Sequence, residues 1–139
     1  MADYQGALPA PTHDTQPYWD AAKEHRLVLP YCAACDAYDF YPRPFCRQCF
    51  SWDIEWRDAS GKGTLHTYVI NHRPARGFDE MTPYVIAVVE LEEGPRMMTN
   101  IVMEEEPTVD NLPIDAPVEV VFDDVTDEVT LPRFRLVQS

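Results

Sequence analysis

The chain has 139 residues, 11 Lys/Arg against 24 Asp/Glu for a formal charge of −13, and 45% hydrophobic residues. That length allows about one domain with a single compact core. The acidity counts against nucleic acid as a main partner, because phosphate binding relies on Lys and Arg releasing counterions, and no apolar run is long enough to predict a membrane span.

The charge is unevenly spread. Residues 1–78 carry eight Lys/Arg and nine Asp/Glu (−1), whereas residues 79–139 carry three and fifteen (−12). The N-terminus MADYQGALPAPTHD lacks the basic start and apolar core of a secretory signal, and thiols kept reduced for metal binding suit the cytoplasm.

Residues 1–13 read as a loose tail. A helix is expected next, capped by Asp14 or Thr15 with Pro17 in its first turn. Its apolar contact would come from Tyr18, Trp19 and Ala22, and its charged face runs on to Arg26, so that His25 falls within it. Leu27–Tyr31 then reads as a short strand.

Tyr31–Phe50 holds all four cysteines as two Cys-x-x-Cys pairs, Cys32/Cys35 and Cys46/Cys49. Each pair bends the chain so that two thiolates point at one centre, and two such pairs complete the tetrahedron that Zn²⁺ takes with four sulfurs. Iron is the rival metal, since a four-sulfur tetrahedron accepts either. A closed four-thiolate shell leaves no position for water or substrate, so the site is expected to be structural. A ribbon this small cannot bury enough apolar surface to hold itself, so metal would supply much of its folding free energy. Trp52–Arg57 is expected to form a strand on which Trp52 and Trp56 share a face.

Ser60-Gly61-Lys62-Gly63 marks the joint between modules, giving a tail and helix at 1–26, a zinc ribbon at 27–59 and a barrel at 60–139. It is not a phosphate-binding loop, lacking the spacing and the following helix. In Gly63–His72 the alternation places Leu65, Thr67 and Val69 on one face and His66, Tyr68 and Ile70 on the other. Tyr84–Leu91 is a continuous apolar run, expected to be buried on both faces. A turn at Glu93-Gly94-Pro95 leads to a strand at Arg96–Met103. Val118, Val120 and Phe122 line a fourth strand, and Leu131–Val137 forms a fifth. Five short antiparallel strands fit a closed barrel of the oligonucleotide/oligosaccharide-binding (OB) type. The fold class is therefore mainly β.

The one cationic stretch of the barrel, Asn71–Gly77, lies between its first two strands. Arg73 and Arg76, with His72 as a further donor, are candidates to hold an anion. The carboxylates of Glu104–Glu106 are adjacent and followed by proline, which is the pattern of a solvated turn. No serine or cysteine pairs with a histidine in a nucleophile motif, so no catalytic residue is assigned.

Several stretches together resemble one family: the lead-in PYWDAAKEHRLVLPYC, the two cysteine pairs around Pro42-Arg43-Pro44, the Gly61-Lys62-Gly63-Thr64 stretch and Pro83-Tyr84. It is the thiolase-associated family with a rubredoxin-like zinc ribbon followed by an OB-fold, long catalogued as a domain of unknown function. The resemblance covers about residues 17–125. This chain departs from the family twice: the glycine that commonly follows each Cys-x-x-Cys is Asp36 and Phe50 here, and the second knuckle is expected to differ in shape because Phe adopts the left-handed conformation poorly.

The resemblance implies a structural zinc and a partner role. Members are small subunits of thiolase-like lyases or acyltransferases, or of hot-dog-fold enoyl-CoA hydratases, in steroid side-chain or aromatic degradation. The chain is then expected to be a non-catalytic subunit of a heterotetramer or similar complex that shares acyl-CoA with its partner, with His72, Arg73 and Arg76 toward the CoA phosphates. The other classes considered are a stand-alone acyl-CoA-binding module, an electron carrier and a single-strand nucleic-acid binder.

Overall fold

The computed structural model describes residues 6, 8–73 and 83–137. One helix, α1 (Gln16–Lys23), precedes eight strands: β1 (Val28–Cys32), β2 (Ala37–Tyr38), β3 (Ile54–Asp58), β4 (Lys62–Asn71), β5 (Tyr84–Leu91), β6 (Arg96–Ile101), β7 (Pro117–Asp124) and β8 (Thr130–Leu136). The mainly β architecture expected from the sequence is present.

Thr15 stands at the N-cap of α1, but its side chain makes no cap bond. Its hydroxyl faces back to Thr12, whose backbone N–H donates to Thr15 Oγ1 at 2.9 Å. The helix stops one turn short of Arg26. His25 takes a left-handed φ of 60°, the Arg26 N–H donates to the Ala21 carbonyl, and the His25 N–H donates to that of Ala22. This is the 6→1 and 5→2 pattern of a Schellman cap, and it places His25 just outside the helix.

β1 is the centre of a small sheet of order β2-β1-β3. The barrel closes in the order β4-β5-β6-β8-β7. Its ladders are antiparallel except β6–β8, a parallel contact at Ile101 and Phe134, where sequence reading expected antiparallel strands throughout. The helix and both sheets share one core: Tyr18, Leu27 and Leu29 cluster with Leu65, Val89 and Phe134. The helix thus docks on its own chain.

Two expectations about facing need correction. A bulge in the β4–β5 ladder between Leu65 and Thr67 advances the pleat by one residue. Leu65 points into the core, and beyond the bulge Tyr68 and Ile70 pack against it, while Val69 is 59% exposed. An extra residue in one strand exchanges the faces of everything after it. Second, β5 alternates: Val85, Ala87, Val89 and Leu91 are buried, whereas Ile86 and Val88 are only half-buried on the barrel's outer side. A closed barrel has one interior, so only one face of the run is covered.

The turn into β4 uses both of its glycines. Gly61 has a φ of 77°. At Gly63 a β-carbon would come within 2.4 Å of the Glu90 carbonyl oxygen, so only glycine lets β4 approach β5 this closely.

Candidate functional site

The four cysteine sulfurs converge at one end of the small sheet. Cys32 closes β1, Cys35 lies in the tight turn to β2, and Cys46 and Cys49 belong to the loop before β3. Each knuckle closes with a backbone bond: the Asp36 N–H donates to the Cys32 carbonyl at 2.8 Å, and the Phe50 N–H to the Cys46 carbonyl at 2.9 Å. The residue after each pair is left-handed, Asp36 at φ 55° and Phe50 at φ 61°. Contrary to the sequence expectation, the second knuckle therefore has the same shape as the first. Phenylalanine is accommodated there with its side chain turned to solvent, 70% exposed.

All four Sγ atoms lie within 4.8 Å of one another. Cys32–Cys49 and Cys35–Cys46 are each 3.5 Å apart, far longer than a disulfide and close to the edge of about 3.8 Å of a tetrahedron with bonds of about 2.3 Å to zinc. Four free thiols with this spacing fit a four-coordinate zinc ion. Backbone N–H groups of Cys49 and Gln48 pull the Cys46 thiol down, toward the thiolate that a metal requires. Hydrogen bonding to Cys46 holds the Cys35 thiol up.

Around the centre, Tyr31 donates from its hydroxyl to the Asp36 carboxylate, and its ring lies 3.7 Å beneath the Arg57 guanidinium. Arg47 grips Asp39 through Nε at 3.0 Å and Nη2 at 2.5 Å. Asp39 also accepts the Phe40 N–H at 2.7 Å, so this pair shapes the ribbon's crossing loop. Trp52, expected to share a strand face with Trp56, lies before β3. It is 72% exposed and packs on Phe45 with centroids 5.6 Å apart, while Trp56 joins the core.

The structure brings the four cysteines together. The three cationic residues fare differently. His72 and Arg73 follow β4 and are exposed, the Arg73 N–H donating to Asn71 Oδ1 at 3.0 Å; Arg76 lies outside the described residues. Sequence reading missed Glu93, whose Oε2 accepts the Ser60 N–H at 2.9 Å and so ties the β5–β6 turn to the joint. It also missed the pairing of His25 with Asp124 at 3.0 Å. Neither has a local signature, because the partners are 33 and 99 residues apart in sequence. Among the described residues no helix is long and apolar enough to cross a membrane.

Comparison with known proteins agrees with this geometry. Residues 19–55 match the family model of the ChsH2 rubredoxin-like zinc ribbon domain, and residues 56–123 match that of the ChsH2 C-terminal OB-fold domain. The chain is 39% identical over 127 residues to a "Probable enoyl-CoA hydratase alpha subunit" of Thermomonospora curvata, covering 91% of this chain and 39% of that protein. It is 37% identical over 90 residues to the 3-oxo-4,17-pregnadiene-20-carboxyl-CoA hydratase alpha subunit of Mycobacterium tuberculosis, covering 65% and 28%. This chain thus spans well under half the length of either relative. Among solved structures, it superimposes on a chain of the Ltp2-ChsH2(DUF35) aldolase with a TM-score of 0.81 and 38% identity, covering 93% of this chain and 98% of that one. The chain belongs to the ChsH2 (DUF35) family, in which a rubredoxin-like zinc ribbon is followed by an OB-fold.

Proposed function

We propose that this chain is a non-catalytic accessory subunit of a thiolase-like lyase or acyltransferase acting on acyl-CoA in steroid side-chain or aromatic degradation. The observation that carries this reading is the match over 98% of a chain of the Ltp2-ChsH2(DUF35) aldolase at 38% identity. The chemistry of the cysteine cluster points the same way. The four cysteines face one another in a closed shell, which serves folding and leaves no open coordination position. The partner supplies the catalytic groups, and the zinc ribbon and barrel form a rigid body against it. The assembly is a hetero-oligomer such as a heterotetramer, acting in the cytoplasm. The loop with His72, Arg73 and Arg76 is assigned to the CoA phosphates, through the charge-assisted bonds that arginine makes with such groups.

A second reading has its own support. The relatives named as hydratase alpha subunits contain the stretch that resembles this chain within a longer polypeptide. In that reading the chain serves a hot-dog-fold enoyl-CoA hydratase instead.

Copurification decides between them. The full chain, loaded with zinc, is mixed with purified Ltp2 or with a hot-dog-fold hydratase subunit and assayed for acyl-CoA cleavage and hydration. Formation of a complex with Ltp2 and a gain in retro-aldol cleavage supports the first reading. Binding only to the hydratase supports the second. Failure to bind either, with CoA esters bound by the isolated chain, would establish a stand-alone acyl-CoA module.

A further inference from the structure

The two knuckles of the ribbon have the same shape and are held differently. In the first, Cys32 ends β1 between two ladders, opposite Ala37 of β2 and Ile54 of β3. Asp36 keeps its left-handed φ of 55° with its carboxylate bound by the Tyr31 hydroxyl, and the Arg57 guanidinium covers the Tyr31 ring at 3.7 Å. Aspartate also tolerates that conformation better than most residues. The second knuckle lies in the loop before β3 and belongs to no strand. It is closed by the Cys46 N–H on the Ser51 carbonyl at 2.9 Å and by the Phe50 N–H on the Cys46 carbonyl. Phe50 itself is a bulky residue at φ 61°, which is strained.

Access is uneven in the same direction. Cys32 and Cys46 are buried and Cys35 is half-buried, whereas Cys49 alone of the four is exposed. Zinc keeps its sulfur ligands as thiolates, the nucleophilic form, so access decides which of them reacts first. A second sulfur stands beside the exposed one, since Cys32 Sγ is 3.5 Å from that of Cys49. A disulfide closes at about 2.05 Å. The approach falls to Cys49, whose loop is outside the ladders that fix Cys32.

We propose that Cys49 is an oxidation site of the zinc-loaded chain, attacked by a hydroperoxide and resolved by Cys32, and that its modification opens the metal centre at the second knuckle. The Cys49 thiolate attacks the terminal oxygen of the peroxide. An S–O bond forms, the O–O bond breaks, and the leaving oxygen takes a proton and departs as water, or as an alcohol from an organic peroxide. The Cys32 thiolate then attacks the sulfenic sulfur of Cys49. The S–S bond forms, the S–O bond breaks, and hydroxide takes a proton and leaves as water. The two sulfurs together give up two electrons, and the peroxide takes them. Only Cys35 and Cys46 are then left as thiolates, too few for a closed four-sulfur shell, so the ribbon loses its staple while the barrel keeps its own core.

The test uses the full zinc-loaded chain. It is treated with substoichiometric N-ethylmaleimide and, separately, with hydrogen peroxide, while a chromogenic chelator reports free zinc and peptide mass spectrometry maps the cysteines. Cys49 is expected to be alkylated about fivefold or more faster than any of the other three. Peroxide is expected to release about one zinc per disulfide formed, with Cys32–Cys49 as that disulfide. Without oxidant, Phe50→Gly is expected to slow zinc transfer to the chelator about threefold or more, and Asp36→Gly to leave it within about twofold, because only the second knuckle is strained. Even alkylation of the four thiols, first reaction at another cysteine, or a Cys35–Cys46 disulfide would overturn the assignment. Zinc transfer that Phe50→Gly leaves unchanged would overturn the opening at the second knuckle. Where a variant fails to fold, the order of alkylation and the disulfide mapped in the parent decide alone.

Discussion

The imidazole of His25 lies flat against the ring of Phe122, centroids 5.2 Å apart and planes 10° from parallel. Its Nε2 reaches Asp124 at 3.0 Å, and Thr130 donates to the same carboxylate at 2.5 Å. The residue that caps the helix thus also fastens the helix to β7 of the barrel. Its left-handed φ of 60° turns the side chain toward the barrel as the chain leaves α1. His25→Ala is expected to lower stability by about 1 kcal/mol, mostly through the lost ring stacking, since the exposed ion pair adds little. A thermal melt checks this, and His25→Phe is expected to recover most of the loss.

Metal removal should act locally before it acts globally. The stretch between β1 and β3 contributes few side chains to the shared core, whereas Leu27 and Leu29 on either side of the start of β1 are buried in it. Chelation, or Cys46→Ser, is expected to raise amide hydrogen exchange across residues 33–53 while the amides of β5 and β6 stay protected. Uniform loss of protection in ribbon and barrel alike would show that metal holds the whole chain.

Gly63 and Gly94 separate two reasons for glycine. At Gly63 a β-carbon would meet the Glu90 carbonyl oxygen at 2.4 Å, while at Gly94 nothing lies within 4 Å and only the φ of 112° is at issue. Gly63→Ala is expected to cost about 2–3 kcal/mol, because backbone must move. Gly94→Ala should cost about 1 kcal/mol. Equal denaturant midpoints for the two variants would contradict this.

What the sequence made legible follows from how local each signal is. The cysteine pairs sit three residues apart, so their convergence could be read directly, and so could the presence and order of the five barrel strands. The bulge between Leu65 and Thr67 could not, because His66 has no property that marks an inserted residue; the partner strand decides it. Trp52 was placed on a strand by its β-favouring character, yet the chain enters β3 only at Ile54, after the knuckle that closes at Phe50. The clasps His25–Asp124 and Ser60–Glu93 join residues that only the closed barrel brings together. For Arg73 the sequence offered charge alone, and the structure places it in the open after β4.

Tyr18 predicts a specific alkaline behaviour. Burial, with Tyr41 nearby, raises its phenol well above the usual value near 10. A pKa raised in the folded state means that the stability it contributes is fully present below the unfolded value near 10 and is lost as pH rises beyond it. The parent is therefore expected to lose stability above about pH 10 more steeply than Tyr18→Phe, which keeps the ring and removes the proton. Tyrosinate absorbance should show the folded parent titrating as many phenols near pH 10 as folded Tyr18→Phe, because the phenol that the variant lacks stays protonated in the parent.

Phe50 combines strain with exposure. It holds φ at 61°, where a bulky residue is costly, and its ring gains little burial at 70% exposure. Its N–H is nevertheless needed to close the knuckle on the Cys46 carbonyl. Glycine keeps that bond and removes the clash, so Phe50→Gly is expected to stabilise the folded chain by about 1 kcal/mol, offset in part by the greater freedom of the unfolded glycine. Zinc affinity should hold or rise. If Phe50→Gly melts lower than the parent, the ring supports the knuckle itself and the argument from strain is wrong.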